Sequence, residues 1–290
     1  MEMKKYKAKK RKSEKAASWI AFAVLLVLGI IFLIPFLWIM ITSFKVDIEI
    51  HQAGGFLLFP QTWTLDNLAH IIDPNNMQLP VFRWFLNSML ISGIHTILAV
   101  VIFSMSAYAY AKMNFKGKHV IFLSMLFLSS FPAIVNIIPL YRIMLTLGWL
   151  NGPLALIFPG LSGVFNIFLI RQFMYGIPNE LMESARIDGA SELKTFARIV
   201  LPLCKPILTV VGLFSFTGNW NDFLWPSIAI NNLDRLTLTA GLQLARGVYT
   251  TSPARMSAVA VIAIIPMVII FLFAQRYFVK GVSLSSGVKG

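Results

Sequence analysis

One stretch of the sequence concentrates residue types that can do work: Gly176-Ile-Pro-Asn-Glu-Leu-Met-Glu-Ser-Ala-Arg-Ile-Asp-Gly-Ala-Ser-Glu-Leu-Lys-Thr-Phe-Ala-Arg-Ile-Val-Leu-Pro202. The pattern predicts two short helices around a bend. Asn179 is suited to cap a helix over 180–187, with Glu180 and Glu183 near its positive end. Gly189 follows as a terminator able to take positive φ. Ser191 caps the second helix, Glu192 sits in its first turn, and Pro202 stops it. Within it Leu193, Phe196, Ala197 and Val200 fall at i, i+3, i+4 and i+7, forming one apolar stripe. Such a stripe is covered either by the membrane surface or the chain's own bundle, or by a groove on a partner into which part of the pair docks. The chemistry on offer is recognition rather than bond-making.

A second cluster, Asn219-Trp220-Asn221-Asp222 with Trp225 nearby, interrupts an apolar run. Polar groups inside a membrane are costly and by default face a cavity or a partner. Amide and carboxylate hydrogen bonding beside aromatic rings suits sugars, so Asn219, Trp220, Asn221 and Asp222 are candidates for a substrate pathway. The competing reading is interfacial anchoring. At 1.5 Å per residue Asp222 lies about 22 Å beyond Ile207, near an interface where Trp and polar groups are ordinary. Asn87, His95 and Asn136 are single polar residues in or beside apolar runs, explained most economically by helix–helix hydrogen bonds.

Catalytic apparatus is not in view. There is no nucleophile–base pair and no G-x-x-x-x-G-K-[ST] phosphate loop, so ATP hydrolysis, if any, belongs to a partner. Cys204 and the four scattered histidines, His51, His70, His95 and His119, build no disulfide framework or metal cluster, and no cofactor is expected. Cys204 reads as a small apolar filler between Pro202 and Pro206.

The elements that must position these clusters are membrane helices. Hydrophobic residues make up 57% of the 290 positions, charged residues 13%, and mean hydropathy is +0.75, unlike a soluble domain. Apolar runs long enough to cross a bilayer fall at 19–42, 86–111, 120–146, 152–175, 207–230 and 257–278. The first is too long for a signal-peptide core and no small-residue cleavage site follows it. Six spans place both termini on one side. Nineteen of the 25 Lys and Arg fall in 1–18, 112–118, 171–205 and 276–290, which makes that side cytoplasmic. The net charge of +13 thereby finds its explanation in topology, and nucleic acid is a poor reading. The organisation expected is a basic tail over 1–18 that can touch anionic lipid, a first transmembrane helix over 19–44, and a folded outer loop over 45–84. A core of five helices over 85–279 contains the loop 176–202, and a tail over 280–290 ends the chain.

Glu183-Ser184-Ala185-Arg-Ile-Asp188-Gly189-Ala190, followed by Phe196, Ile199 and Leu201-Pro202, resembles the EAA loop of binding-protein-dependent ABC importer permeases. Ser184 replaces the second residue of the Glu-Ala-Ala triplet with another small one. Further matches are Asn87-Ser88, Ala107-Tyr-Ala-Tyr-Ala-Lys112, Phe115-Lys-Gly117, Pro139-Leu-Tyr141, Arg171-Gln172-Phe173, Asn219 to Phe223 and Gln275 to Gly281. Together they are similar to the MalG-like subunit of the carbohydrate-uptake family. The resemblance implies an all-α membrane protein of six transmembrane helices, the type I ABC importer permease (MetI-like) fold with a cytoplasmic coupling helix. It implies as partners a homologous second permease subunit (MalF-like), two copies of an ABC ATPase and an extracytoplasmic sugar-binding protein. Glu183, Ser184, Ala185, Asp188, Gly189 and Ala190 would then seat in an ATPase cleft, and Lys289 and Gly290 of the tail would reach the same partner. In maltose-type systems the sugar site lies mainly in the other permease. The alternatives kept open are an ABC permease for another solute, an ion-gradient-driven secondary transporter and a membrane-embedded enzyme. A secondary transporter usually shows buried mid-membrane acids or inverted halves, and here no acidic residue falls within the first four spans or the sixth.

Overall fold

The computed structural model describes residues 2–52, 58–74, 76 and 79–286, with side chains described over 17–51, 58–74, 76 and 79–275. Among the described residues the ordered elements are helical, and no strand occurs. The chain divides into two compact units, Met1–His70 with Tyr249–Val261 and Ile71–Val248 with Ile262–Gly290.

In the first unit a long helix, α1 (Glu2–Ser43), runs from the basic tail straight through the first apolar stretch. A run of large apolar residues with only Gly29 and Pro35 to weaken it favours this outcome in lipid, where every backbone group must be satisfied within the helix. Hydrogen bonds tie described parts of the segment that follows to one another. The Glu49 carboxylate accepts from Gln61 N at 3.0 Å and Thr62 N at 2.8 Å. Asn67 Nδ2 donates to Ser43 O and Lys45 O, and the Asp47 carboxylate accepts from Ala254 N and the Ser252 hydroxyl.

The second unit is organised on α2 (Val81–Lys112). Its buried positions Trp84, Ser88, Ser92, His95, Ala99, Phe103, Ala107 and Ala111 recur every three or four residues, drawing one stripe along 32 residues. Small residues in that stripe let neighbours approach closely, which is how helices pack where lipid removes the hydrophobic drive between them. The unit also contains α3 (Lys118–Ser129), α4 (Ile137–Thr146), α5 (Val164–Tyr175), α6 (Glu180–Ile187), α7 (Glu192–Leu203), α8 (Lys205–Asn221), α9 (Leu224–Ala229), α10 (Leu238–Val248) and part of α11 (Pro253–Ser286). The first turns of α11 belong to the first unit and the rest to the second.

Among the described residues three helices, Ala17–Ser43, Val81–Lys112 and Pro253–Gln275, are long and apolar enough to cross a membrane, and up to six segments are if each bent pair counts as one span. The bent pairs break or bound the apolar runs over 120–146, 152–175 and 207–230. Lys118–Ser129 and Ala133–Thr146 meet at 94°. The break falls at Pro132, which has no N–H to donate and holds an extended ψ of 126°. Leu154–Ser162 and Val164–Tyr175 meet at 48° around Gly163, where an added Cβ would lie 2.6 Å from the Phe103 ring of α2. The run expected over 207–230 is helical only to Asn221, with Asp222 extended (ψ 122°) before α9 begins. On its other side α8 meets α7 at 83°.

Candidate functional site

The loop between α5 and α8 folds as two helices around a bend. The turn closing α6 is a Schellman motif. Gly189 has φ +75°, its N–H donates to Arg186 O at 3.0 Å, and Ala190 N donates to Ala185 O at 2.9 Å. A side chain at Gly189 would meet open space, so glycine is required there by the backbone and not by crowding. Ser191 caps α7, its Oγ accepting from Lys194 N at 3.3 Å.

Two expectations need correcting. Asn179 stands at the start of α6, but its side chain makes no cap and instead accepts from Lys112 Nζ at 2.9 Å. The apolar stripe of α7 does not hold together either. Phe196–Val200 is a π-turn, so Thr195, Phe196 and Val200 turn inward while Leu193 (66% exposed) and Ala197 face out. Phe196 and Val200 join a core with Phe103, Ala107 and Tyr108 of α2 and Ile170 and Met174 of α5. The bundle itself thus takes the inward half of the stripe.

What remains outward is a compact surface. Glu183, Ser184, Asp188 and Gly189 are exposed, with Leu181 and Ile187 (86% exposed) among them. Ala185 is buried against the body and Ala190 is half-buried, so these two seat the helix rather than face outward. The tail residues Lys289 and Gly290 lie outside the described residues.

A hydrogen-bonded set not apparent from the sequence holds this surface in place. Tyr108 OH donates to Glu192 Oε2 at 2.7 Å, and Arg186 Nη2 and Nε donate to Glu192 Oε1 at 2.7 and 3.0 Å. Lys112 Nζ donates to Ile177 O at 2.6 Å as well as to Asn179. The Tyr108 hydroxyl, then the Arg186 guanidinium, hold the Glu192 carboxyl below its usual value. The available signal was the i, i+4 spacing of Tyr108 and Lys112 at the end of an apolar run, which sets both on one helix face. Arg171, one of the cations in 171–205, is buried in α5 between the Phe122 and Tyr175 rings, 4.1 and 4.7 Å from their centroids.

The second cluster is divided by the structure. Asn219 and Asp222 line a cavity of about 440 Å³ together with His95, Asn166, Phe214 and Trp225. Asn219 is pinned, accepting from Ser92 Oγ at 2.9 Å and donating to Leu156 O at 3.2 Å. Asp222 Oδ1 accepts from Trp225 N at 3.4 Å at the start of α9. Trp220 does not line the cavity. It is 2% exposed, stacks on Phe216 at 5.7 Å and donates to Ala263 O at 3.2 Å, because a helix advancing 100° per residue turns it away from Asn219. Asn221 is exposed and does not line the cavity either. Of the lone polar residues, Asn87 donates to Asp234 O and Leu236 O at 2.8 and 3.0 Å, and His95 Nδ1 lies 2.8 Å from Ile157 O.

The described chain is helical, with an exposed, braced two-helix loop between its fourth and fifth apolar runs. Residues 102–284, more than half of the chain, match the family described as binding-protein-dependent transport system inner membrane component, and the chain belongs to that family. It is 35% identical over 282 residues to the arabinooligosaccharides transport system permease protein AraQ of Halalkalibacterium halodurans, covering 97% of this chain and 100% of the relative. It is 32% identical to the trehalose/maltose transport system permease protein MalG of Thermococcus litoralis, covering 92% and 97%. In fold it is similar to a chain of a bacterial ABC transporter involved in the import of the acidic polysaccharide alginate. The TM-score is 0.78 at 22% identity over 92% of this chain and 98% of the other. The protein is thus a transport permease component of the inner membrane.

Proposed function

We propose that the chain forms half of the membrane path of an oligosaccharide importer and is driven through the loop at Glu183, Ser184, Asp188 and Gly189. One observation carries this reading: the EAA-like loop presents those four residues outward on a helix fixed at both ends, by Lys112 at its entry and by the Schellman turn at its exit. A docking element needs that combination of accessibility and rigidity, since a loop ordered only on binding loses affinity to ordering. The partners in this reading are a homologous MalF-like permease, two copies of an ABC ATPase that hydrolyse ATP, and an extracytoplasmic sugar-binding protein. Both termini lie in the cytoplasm, as the excess of Lys and Arg on that side supports. ATPase closure moves the coupling helix, and the spans rock between inward- and outward-facing packings.

An oligosaccharide is the substrate class supported by relatives named for arabinooligosaccharides and for trehalose and maltose. The cavity at Asn219 and Asp222 forms part of the path wall, offering amide and carboxylate groups beside the indole of Trp225.

The test is Gly189→Arg in the chain co-expressed with its partner permease and ATPase. The expected result is normal insertion of the spans with loss of ATPase co-purification, or of its stimulation by the loaded binding protein. Unchanged association and stimulation would reduce the loop to a surface amphipath.

A further inference from the structure

The helix that braces the coupling loop is far from it in sequence. Tyr108 and Lys112 belong to α2, while their partners are Glu192, Ile177 and Asn179, separated by 84, 65 and 67 positions. The chain connects the loop directly to α5 and α8 only. Yet the α2 C-terminal turn holds the loop at three points: the Lys112 ammonium on its entry strap, the Tyr108 hydroxyl on Glu192, and the Tyr108 ring against Phe196 at 5.2 Å. Glu192 then passes the contact to Arg186 on α6 itself, through two bonds to one oxygen.

The same helix is pinned along the rest of its length. Ser92 Oγ donates to Asn219, and His95 lies against Ile157 O, both at the wall of the cavity. At its N-terminal end Trp84 Nε1 donates to Leu233 O at 2.6 Å, Asn87 donates to Asp234 O and Leu236 O, and Ser88 Oγ accepts from Leu238 N at 2.7 Å. Thirty-two residues at 1.5 Å each make a rod of about 48 Å. It is bonded to the loop at one end, to the cavity wall in the middle, and to the 233–238 segment at the other end. An unbroken helix fixed by directional bonds at both ends moves as one piece, whereas α8 is interrupted by the 83° bend to α7 and by extended Asp222.

We infer that α2 is the transmission rod of this subunit and that Tyr108 and Lys112 are the positioning residues that make it follow the coupling helix. The inference rests on the loop being the driven element, as proposed above. Neither residue is among those assigned to ATPase docking, and each acts through a bond that a conservative change removes alone. Tyr108→Phe deletes only the hydroxyl, Lys112→Met deletes the ammonium and keeps the stem, and Lys112→Arg keeps donors for Ile177 O and Asn179.

Paired spin labels at Met113 and Glu180, both exposed, on a Cys204→Ser background report the distance between the end of α2 and the coupling helix. The assembled complex with partner permease and ATPase is measured without nucleotide and with ATP plus vanadate. The expected result is one narrow distance, the same in both states, for the otherwise unchanged chain. In Tyr108→Phe/Lys112→Met the distribution broadens or shifts with nucleotide, Lys112→Arg restores it in part, and ATPase stimulation by the binding protein falls about 2- to 30-fold. A distance that changes with nucleotide before any bond is removed overturns the inference, as does a double variant identical to its parent. Failure of the chain to co-purify with an ATPase would instead sink the proposed function. The same label pair in the purified chain still decides then whether these two bonds hold the loop to α2.

Discussion

The helices α1 and α2 are both long and apolar enough to cross a bilayer, and they are built on opposite principles. Between 17 and 36 no residue of α1 is buried within this chain, and the helix is apolar on all sides. In α2 buried Ser88, Ser92 and His95 share a stripe with Trp84, Ala99 and Phe103, and its hydrogen bonds reach residues 149 positions away. Lipid satisfies one, and only protein satisfies the other. Hydropathy therefore finds both, yet it says nothing of which one carries structure and force.

The contrast is sharpest in what truncation does. Trp84→Ala empties a fully buried indole site and strands Leu233 O, with a cost of about 3–5 kcal/mol by analogy with large-to-small core changes. Leu25→Ala in α1 changes the fold by no more than about 0.5 kcal/mol, since its side chain is 68% exposed. Thermal midpoints of the purified chain in detergent separate the two; equal shifts would mean that α1 also carries internal packing. Gly241→Ala makes the same point from the other side. Its Cβ would run into the Trp84 ring, an overpacking of about 1–3 kcal/mol, read out as loss of monodisperse protein.

A single pinning bond is worth less. Asn87→Leu keeps the apolar volume and gives up the bonds to Asp234 O and Leu236 O, which predicts a loss of about 1 kcal/mol. At the loop, Gly189→Ala forces a Cβ into φ +75° and costs about 1 kcal/mol with no clash to relieve. That cost is local, so hydrogen exchange at residues 186–190 accelerates while the melting of α2 stays where it was.

How far the sequence could be read follows from the same distinction. Local rules worked where the physics is local: the apolar run of α1, the positive φ of Gly189 and the Ser191 cap all depend on neighbours within a few residues. Periodicity failed where a backbone irregularity reset it. The π-turn at Phe196–Val200 moved Leu193 out of the stripe, and Pro132 broke a run that its composition continues. Asn179 satisfied every local criterion for a cap and was claimed by Lys112 from 67 positions away. Trp220 had the right chemistry for a sugar pathway, but the helical turn that points Asn219 into the cavity buries its neighbour under Phe216. The bracing of the loop by α2 was out of reach because no short-range signal distinguishes a tyrosine that ends a span from one that holds a glutamate across the bundle.

The smallest effect tests that brace directly. Glu192 accepts from Tyr108 and from Arg186, and both favour its charged form, so its folded pKa lies below the unfolded value of about 4.3. A depressed carboxylate pKa contributes stability that is fully present above the unfolded value and is lost as pH falls through the folded one. Glu192→Gln keeps an acceptor for Tyr108 but no charge for Arg186, and removes this dependence. The difference in thermal midpoint between the parent and Glu192→Gln is therefore constant from pH 7 to about 5 and shrinks below about 4.3. It is small throughout, because the Arg186 and Glu192 side chains are 53% and 42% exposed and water screens the pair. Salt at 1 M reduces it further, while the Trp84 effect at the far end of α2, which is packing, does not respond to salt or to this pH range. A difference that instead grows on acidification would mean that Glu192 is protonated in the fold, and the brace would then rest on Lys112 and the Phe196 ring alone.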